Sequence, residues 1–404
     1  MNSNKIAVGE FCSSCGSANC EQIFSLEQVP VNCGTLYNSV DKARNATRGE
    51  IDLSACRDCG LVFNRKYDVD LIEFGDQYEV SLGESQVFKD FQLNIARRLS
   101  ENFSLKNKNV LEIGCGNGEF LELLCRVAGC DGEGIDPTAK RDGVNLGDNK
   151  ISFQKAKFTP ESRCKPFDFA CCLSMFEDVP NISEFLCDLR NRIGDRPVGM
   201  YFEIFNGMRP FEFGEVWSIH YEQCNYFSME SFQNAFRANG FSVVNSGLCY
   251  QGDQYLFAEL RPSPDDKTNG TLRSKPPVCE PKSTCSSDRV SQFQNFRNKF
   301  DNRKAFWNKR LDLTPTGKTF FWGAGGKAIT FLNSVSASTK IEFVVDINPK
   351  RQGKYIPGTG QKIISPKDLI ELKPENIIIS NAIYRDEIRQ MLSELGLNCS
   401  VDVA

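Results

Sequence analysis

A buried strand that runs into a glycine turn and then into a helix constrains the fold of this chain most. The stretch VLEIGCGNGEF begins at Val110 and ends at Phe120. Its glycines, Gly114, Gly116 and Gly118, let backbone amides approach a ligand that a β-carbon would push away. Apolar runs alternate with helical segments after this turn, which is typical of a parallel sheet with helices on both faces. The sequence therefore predicts an α/β fold.

The rest of the chain divides around this unit. Residues 88–105 have helical spacing and lead into it. Residues 261–287 contain five prolines and few large apolar side chains, which predicts a linker. A helix and three strands beyond it predict a second, smaller α/β unit. The predicted domains are a zinc-binding module at 1–75, a cofactor-binding unit at 76–260, a linker at 261–290 and a Rossmann-like unit at 291–404.

Composition excludes several classes of protein. The 404 residues are 40% hydrophobic and 25% charged, as in soluble proteins of two or three domains. A net charge of -4 argues against a nucleic-acid partner. The N-terminus has no secretory pattern, and no run of about 18 apolar residues would cross a membrane. We therefore expect a cytoplasmic protein without a membrane partner, whose 18 cysteines are reduced and serve as metal ligands or core residues.

Two C-x-x-C-G motifs in the turn-rich segment 12–65 predict a metal site. Cys12 and Cys15 form one pair, and Cys56 and Cys59 form the other, with 40 residues between them. Each pair holds two thiolates in a tight turn that its glycine relieves, and two pairs complete a tetrahedral site. Because the protein fills all four positions, the expected zinc ion is structural rather than catalytic. The alternative is four reduced cysteines without metal.

Acidic residues beside the glycine turn predict a nucleoside-containing ligand. Glu112 precedes the turn, and the next predicted strand ends in Asp136, whose carboxylate is placed to accept hydrogen bonds from ribose hydroxyls. The turn is similar to the S-adenosylmethionine (SAM) motif of class I methyltransferases. A nicotinamide-binding Rossmann domain is the alternative, but its fingerprint spaces the third glycine one residue further on.

The resemblance to class I methyltransferases implies a set of residues around SAM. It includes Glu112, Gly114, Cys115, Gly116, Gly118 and Asp136. In that family, the segment equivalent to residues 167–180 forms the fourth strand and the loop over the cofactor, which adds Ser174 to the set.

Nearly the whole chain resembles the three-part C-methyltransferases that act on nucleotide-linked deoxysugars. Members have a zinc module, a methyltransferase core and a second nucleotide-binding fold, in that order. The C-terminal similarity lies in Gly323–Lys327, in the segment that begins at Asp346 and in the segment that begins at Asn381. From the residues alone, this glycine turn and Asp346 leave a second nucleotide site and a purely structural unit equally open.

The sequence departs from that family at the segment 219–223, which reads IHYEQ. The family pattern I-Y-x-E-H surrounds the reacting sugar carbon, and its histidine is the presumed base. Here His220 takes the tyrosine position, Gln223 takes the histidine position and only Glu222 is retained. A second family histidine, in the loop over the cofactor, corresponds to Asp178. His220 is the only histidine of the chain.

Three residues of this segment are candidates for the missing base. Glutamine takes no proton at neutral pH, whereas His220 has an ordinary pKa near 6.5. Tyr221 and Glu222 are the other candidates. The alternative for His220 is a hydrogen-bonded loop residue without a catalytic role.

We therefore expect a SAM-dependent methyltransferase acting on a nucleotide-activated sugar. The reaction is C-methylation of a keto-sugar, or O- or N-methylation, since loss of the family histidine leaves the acceptor atom open. Two alternatives remain: a methyltransferase for a non-sugar small molecule, and a non-catalytic binding protein on the same scaffold.

Overall fold

A computed structural model describes residues 11–73, 75, 85–264, 293 and 295–404. The N-terminal part forms strands β1 (Cys20–Pro30), β2 (Arg48–Cys56) and β3 (Val62–Asn64), with a helix α1 (Val40–Arg44) and a 3₁₀ turn Val69–Leu71. The strands pair antiparallel in that order. A two-residue strand from a later loop, Asn225–Tyr226, pairs with β3 and completes a four-stranded sheet. These strands are not among the elements predicted from the sequence.

The central part contains most of the regular structure. Its helices are α2 (Gln86–Asn102), α3 (Glu119–Ala128), α4 (Ile182–Ile193), α5 (Arg209–Glu212) and α6 (Met229–Ala238). Its strands are β4 (Asn109–Ile113), β5 (Asp131–Ile135), β6 (Gly143–Leu146), β7 (Asn149–Gln154), β8 (Phe169–Leu173), β9 (Gly199–Phe205), β11 (Phe241–Cys249) and β12 (Tyr255–Pro262), with Asn225–Tyr226 as β10. Two 3₁₀ turns cover Phe176–Asp178 and Val216–Ser218.

The central sheet has the strand order β11-β12-β9-β8-β4-β5-β7-β6. Strands β9, β8, β4, β5 and β7 are parallel, whereas β12 runs antiparallel between β9 and β11. From β4 the chain builds outward through β5 and β7, and then returns to place β8 on the other side of β4. This reversal is the topological switch point, where open α/β sheets bind ligands at the carboxyl ends of the strands.

The C-terminal part is a smaller parallel α/β unit. Its helices are α7 (Phe296–Asp312), α8 (Gly326–Ser334), α9 (Leu369–Leu372) and α10 (Arg385–Glu394). Its strands are β13 (Thr319–Trp322), β14 (Phe343–Val345), β15 (Lys362–Ile364), β16 (Asn376–Ile379) and β17 (Ser400–Val403). Short 3₁₀ turns cover Ser336–Lys340, Pro366–Asp368 and Ala382–Tyr384. The order β15-β14-β13-β16-β17 is entirely parallel.

The three parts share one apolar core. A single cluster of buried side chains includes Phe24 from β1, Trp217 from the central part and Phe331 from α8. The Trp217 ring lies 5.0 Å from the Phe331 ring, and the Phe24 ring lies 4.9 Å from the ring of Phe296. The N-terminal and C-terminal parts are therefore packed against the central part through this shared core.

Most predicted elements of the α/β regions are present. The helix expected at 88–105 is α2, and the predicted C-terminal helix is α7. Strand β12 continues two residues past the predicted domain boundary at residue 260, because Arg261 and Pro262 pair with β11. Residues 265–290 of the predicted linker lie outside the described residues. Within the described ranges, no helix is long and apolar enough to cross a membrane.

Candidate active site and metal centre

The glycine turn after β4 has a backbone that suits glycine at three positions. Gly114, Gly116 and Gly118 have φ angles of 75°, 53° and 78°, all in the left-handed region. A β-carbon on Gly114 would lie 2.6 Å from the Met175 side chain, and one on Gly118 would overlap the Phe153 ring. A β-carbon on Gly116 would meet no described atom within 4 Å. The space beside Gly116 is therefore open.

Asp136 holds this turn from the end of the neighbouring strand. Its Oδ2 accepts a hydrogen bond from the Gly116 amide at 2.9 Å, and its Oδ1 accepts one from the Thr138 amide at 2.6 Å. The residue is only half buried. Because a carboxylate oxygen accepts more than one hydrogen bond, Asp136 retains capacity for a ligand hydroxyl beside the open space at Gly116.

Two buried polar atoms at the turn lack partners. Glu112 Oε2 and Asn117 Oδ1 have no hydrogen-bond partner among the described residues. Burial, together with the nearby charge of Asp136, raises the pKa of Glu112 well above its ordinary value. Buried polar atoms are rarely left unsatisfied, so a polar ligand at the turn would account for both. The Cys115 sulfur fills the space that a side chain at Gly134 would need, which joins the turn closely to β5.

Ser174 lies directly after β8 with a left-handed φ of 50°. Its amide donates a hydrogen bond to the Glu203 carbonyl oxygen at 2.8 Å, and its side chain is exposed. A non-glycine residue in this region of φ is strained, and such strain is common beside ligand sites. The next residue, Met175, packs on Gly114, so the loop after β8 lies against the glycine turn.

The Tyr221 side chain anchors its loop to the N-terminal sheet. Its hydroxyl accepts a hydrogen bond from the Asp68 amide at 2.8 Å and donates to the Lys66 carbonyl at 3.3 Å. Its ring occupies the space that a side chain at Gly49 would need, and it stacks on Tyr67. The phenol is thus engaged by two backbone groups.

Glu222 and Gln223 are buried beside it. Glu222 Oε1 accepts a hydrogen bond from the Gly34 amide at 3.3 Å, and Gln223 Nε2 donates to the Asn225 carbonyl at 3.1 Å. Asp178 lies near Glu222: burial first, and then the charges of Glu177 and Glu222, raise the pKa of Asp178 well above its ordinary value. Asp178, at the position of a family histidine, therefore lies within electrostatic reach of the retained Glu222.

His220 points to different surroundings from those of Tyr221 and Glu222. Its imidazole lies against Gly326 at the start of α8, where a β-carbon would come within 3.3 Å of Nδ1. Burial, and then the charge of Lys327, lower the pKa of His220 to about 4. Nδ1 has no hydrogen-bond partner among the described residues. The imidazole is consequently neutral at pH 7.

In the C-terminal unit, Asp346 holds the glycine turn as Asp136 does in the central unit, but its carboxylate is also contacted by an arginine. Asp346, at the end of β14, accepts hydrogen bonds from the Ala324 and Asn348 amides, both at 2.9 Å. Arg351 Nη1 also contacts Asp346 Oδ2 at 3.1 Å, and both side chains are buried. Because the guanidinium covers this carboxylate, Asp346 is less available to a ribose than Asp136 is. The contact between Arg351 and Asp346 therefore favours a purely structural unit over a second nucleotide site.

The carboxyl ends of the two sheets face each other. Lys327, in the first turn of α8, pairs with Glu215 at 2.8 Å and lies 5.7 Å from the Phe205 ring at the end of β9. Asn381, after β16, donates to the side chain of Gln254 at 2.6 Å, and the Gln254 carbonyl accepts from the amide that follows Phe205. The C-terminal unit thus covers the edge of the central sheet where ligands bind.

The four predicted metal ligands converge. The sulfur atoms of Cys12, Cys15, Cys56 and Cys59 all lie within 4.8 Å of one another, and all four residues are buried. The separations Cys12–Cys59 and Cys15–Cys56 are 3.5 and 3.6 Å. A tetrahedron with Zn–S bonds of about 2.3 Å has sulfur–sulfur edges of about 3.8 Å. The donor set therefore fits zinc in both chemistry and spacing.

This cluster braces the loop after β8. Ser13 donates to Asn225 Oδ1 at 3.2 Å, and Asn225 Nδ2 donates to the Val179 carbonyl at 2.7 Å. Ser183, at the start of α4, donates to the Ser14 carbonyl at 2.6 Å. Asn225 is not predictable from the sequence, since nothing local distinguishes an asparagine that bridges two distant segments.

A mostly parallel sheet with this strand order, a glycine turn after β4 and an acidic residue after β5 define the class I methyltransferase fold. Family comparison agrees. Residues 84–246 match the model described as a methyltransferase domain, and residues 276–398 match the model described as a C-methyltransferase C-terminal domain. The central unit is therefore a methyltransferase domain, as the sequence predicts.

One curated relative is the ubiquinone biosynthesis O-methyltransferase of Neisseria meningitidis serogroup C (strain 053442). It is 26% identical over 153 residues, which cover 34% of this chain and 63% of that protein. This chain thus spans less than two thirds of that relative's length.

Similar solved structures include a 1,6-didemethyltoxoflavin-N1-methyltransferase from Burkholderia thailandensis, with 15% identity and a TM-score of 0.33 over 44% of this chain and 81% of that one. Another is the magnesium protoporphyrin IX methyltransferase of Synechocystis PCC 6803, with 16% identity and a TM-score of 0.36 over 46% and 89%. Scores this low carry no argument about function.

Proposed function

We propose that this chain is a SAM-dependent methyltransferase that acts on a nucleotide-activated deoxysugar. The observation that carries the proposal is the open glycine turn, held by Asp136, at the switch point of a methyltransferase domain. The residues that would hold SAM are Glu112, Gly114, Cys115, Gly116, Gly118, Asp136 and Ser174. The cofactor supplies a methyl group on a sulfonium, and the chain's part is to align the acceptor and exclude water.

The C-terminal unit supports a bulky, phosphorylated acceptor. It matches a domain described for C-methyltransferases and covers the carboxyl edge of the central sheet. Lys327 and Arg209 bring two cations to this contact between the units, where both pair with Glu215. A nucleotide diphosphate would be attracted by the cations and would compete with Glu215 for them.

A non-sugar acceptor is the second candidate. The curated relative is named for ubiquinone biosynthesis and for O-methylation, and Arg351 closes the nucleotide-type carboxylate of the C-terminal unit. A non-catalytic binding protein is the third candidate. Methylation of either kind of acceptor needs a residue that takes the acceptor's proton. His220, Tyr221 and Glu222 remain our candidates for this role.

We also propose one structural zinc ion, held by Cys12, Cys15, Cys56 and Cys59. The support is the convergence of four buried sulfurs at tetrahedral spacing, on turns that end in Gly16 and Gly60 with φ angles of 71° and 78°. Four thiolates leave no coordination position for a substrate, so the ion would act by holding the N-terminal turns together.

Calorimetric titration with SAM and with its demethylated product, S-adenosylhomocysteine, tests the cofactor assignment. We expect both to bind, and we expect Asp136→Asn to weaken binding by about tenfold or more, because a charged hydrogen bond contributes about 1.5–3 kcal/mol. Asp131→Asn is the matched control, since Asp131 is exposed at the opposite end of the same strand. No binding by the wild-type chain would favour the non-catalytic alternative.

The acceptor is identified by turnover. A panel of nucleotide-linked keto-sugars and hydroxysugars, with quinols and phenols of similar size, is incubated with SAM carrying a labelled methyl group. We expect label in a nucleotide sugar. Label only in the non-sugar compounds would replace the first candidate by the second.

A further inference from the structure

Two buried carboxyl groups lie at the carboxyl ends of neighbouring strands, and the charge of Glu203 acts on Glu177. Glu177 belongs to the 3₁₀ turn after β8, and Glu203 lies near the end of β9. Their residues are only 5% and 3% exposed. Neither is among the predicted site residues, although Glu177 directly precedes Asp178 in the segment expected to cover the cofactor.

Glu177 has one satisfied carboxyl oxygen and one unsatisfied. Its Oε1 accepts a hydrogen bond from the Phe205 amide at 3.0 Å. Its Oε2 is buried and has no hydrogen-bond partner among the described residues. Asn225 fixes the backbone here, because its Nδ2 donates to the Glu177 carbonyl at 3.3 Å. An orphaned carboxyl oxygen in a loop over a ligand-binding crevice is available to a bound group.

Glu203 is connected to the glycine turn through Ser174. The backbone carbonyl oxygen of Glu203 accepts a hydrogen bond from the Ser174 amide at 2.8 Å, and the next residue, Met175, packs on Gly114. Its Oε2 accepts hydrogen bonds from the Tyr201 hydroxyl at 2.5 Å and from the Cys249 thiol at 3.7 Å. Both residues therefore lie at the carboxyl ends of strands at or beside the switch point, where open α/β sheets bind ligands.

The surroundings leave this pair short of positive charge. Burial, with a contribution from Glu203, raises the pKa of Glu177 to about 7, against the lowering effect of the Phe205 amide. Burial raises the pKa of Glu203 to about 7, although Tyr201, Cys249 and Arg98 lower it. The charges of Glu177 or Glu203 also act on other titratable groups. These are Cys172 on β8, Asp178 in the same turn, Cys224 in the loop before β10 and Tyr255 on β12. Arg98 on α2 is the cation that acts on Glu203.

We propose that Glu177 and Glu203 form a proton-linked charge sensor that distinguishes the cationic methyl donor from its neutral product. This inference rests on the proposed function. The pair releases a proton to solvent when a sulfonium binds in the crevice, because a cation within about 4–6 Å favours ionised carboxylates. During transfer, the bond from the methyl carbon to sulfur breaks, its electron pair stays on sulfur, and a bond from the methyl carbon to the acceptor forms. The pair then takes up one proton, which matches the proton that the acceptor loses.

The sensor gives the protein a means of product release. S-adenosylhomocysteine has the same adenosine and amino-acid groups as SAM but no sulfonium charge. It therefore cannot hold the pair in its fully ionised form. Near neutral pH, the two ligands should differ in the protons that they displace, even when no acceptor is present.

The test is calorimetric titration of the full chain with each ligand, in two buffers of different ionisation enthalpy and at pH 6, 7 and 8. For SAM we expect about half to one proton released at pH 7 and an affinity that rises about tenfold from pH 6 to pH 8, as a pKa shift of one to three units implies. For S-adenosylhomocysteine we expect a much smaller release and a nearly constant affinity. Both ligands carry an amino group that can itself exchange a proton on binding. The proton release of each variant is therefore compared with that of the wild type for both ligands.

Glu177→Gln and Glu203→Gln should each reduce the difference between the ligands by at least half. Asp188→Asn is the matched control, because this carboxyl on α4 also has a pKa raised by burial but interacts with Glu184 and Arg192. Equal proton release for the two ligands in the wild type overturns the inference, and so does an unchanged difference in both glutamine variants. Failure of SAM to bind at all would instead remove the proposed function. The wild-type comparison decides the matter even where a variant does not fold.

Discussion

Asp136 and Asp346 show how one residue type acquires two roles in the same local geometry. Each directly follows the second strand of its unit, and each accepts one hydrogen bond from an amide of the glycine turn and one from the amide two residues further on. Arg351 covers Asp346, whereas Asp136 is half buried beside open space. The difference lies in a guanidinium that reaches the carboxylate from five residues away, which no turn motif encodes.

The role of His220 is decided by its neighbours as much as by its chemistry. A pKa of about 4, lowered by burial and then by Lys327, means that the imidazole gains a proton only in acid. At pH 7 it is a neutral acceptor whose conjugate acid is strong, so it would be a weak base. Its contact with Gly326 gives it an equally good role in positioning the C-terminal turn.

His220→Asn separates these roles. If His220 is the base, we expect turnover on the best acceptor to fall by about a hundredfold with SAM affinity nearly unchanged, since general-base catalysis typically contributes that much. The wild-type rate should then decline only as pH falls toward 4. Steady-state kinetics over pH 4–9 measures both effects.

Tyr221→Phe is the companion variant. Because its hydroxyl is held by two backbone groups, we expect a loss of about 1–2 kcal/mol in unfolding free energy and little change in turnover. A severe loss of turnover in Tyr221→Phe, together with a mild effect of His220→Asn, would move the base to the phenol.

Among the elements, the N-terminal turns and β10 act together as a brace. β10 leaves the central part to pair with β3, which fixes the loop that carries residues 219–223. Ser13 and Ser14 contact Asn225 and Ser183, so the cysteine turns hold the loop after β8 from the other side. The position of the candidate site is therefore set partly by a sheet that belongs to another part of the chain.

Removal of the metal should consequently weaken cofactor binding. We expect one zinc per wild-type chain, and we expect Cys56→Ser to lose it, to lower the unfolding temperature and to weaken SAM binding, because metal binding contributes directly to folding. Elemental analysis, thermal unfolding and calorimetry measure the three effects.

Cys20→Ser is the control, since Cys20 pairs with Cys56 across the strands but lies outside the four-sulfur cluster. It should retain the metal. Well under one equivalent of zinc in the wild type, with no change in Cys56→Ser, would contradict the metal site.

For the whole molecule, the joint between the central and C-terminal units is polar as well as apolar. Glu215 forms ion pairs with Arg209 of the central unit and with Lys327 of the C-terminal unit. Burial alone would raise the pKa of Glu215, but the hydrogen bond from Arg209 and the charge of Lys327 lower it to about 2. Together with the shared core, this network favours a single cooperative unfolding transition.

Glu215→Gln tests the joint. We expect a loss of about 1–3 kcal/mol in unfolding free energy at pH 7, because two cations lose their shared carboxylate. A carboxyl with a lowered pKa stabilises the folded state above its unfolded pKa of about 4.3, and this contribution disappears as pH falls toward 2. The difference between wild type and variant should therefore shrink in acid.

Urea unfolding at pH 7 and pH 3 measures this difference. The exposed Glu212→Gln, three residues away, should behave like the wild type at both values. Equal stability of Glu215→Gln and wild type at pH 7 would show that the joint does not depend on these charges.

The sequence by itself determined the features that depend on neighbours along the chain. Strand, glycine turn and helix around Gly114–Gly118 follow from local backbone requirements, and the spacing of Cys12, Cys15, Cys56 and Cys59 anticipated their convergence. Only the tertiary structure decided which polar groups lose contact with water. Burial and long-range contacts place His220 against Gly326, and burial raises the pKa values of Glu177 and Glu203. Desolvation depends on all the atoms packed around a group, and those atoms come from parts of the chain hundreds of residues apart.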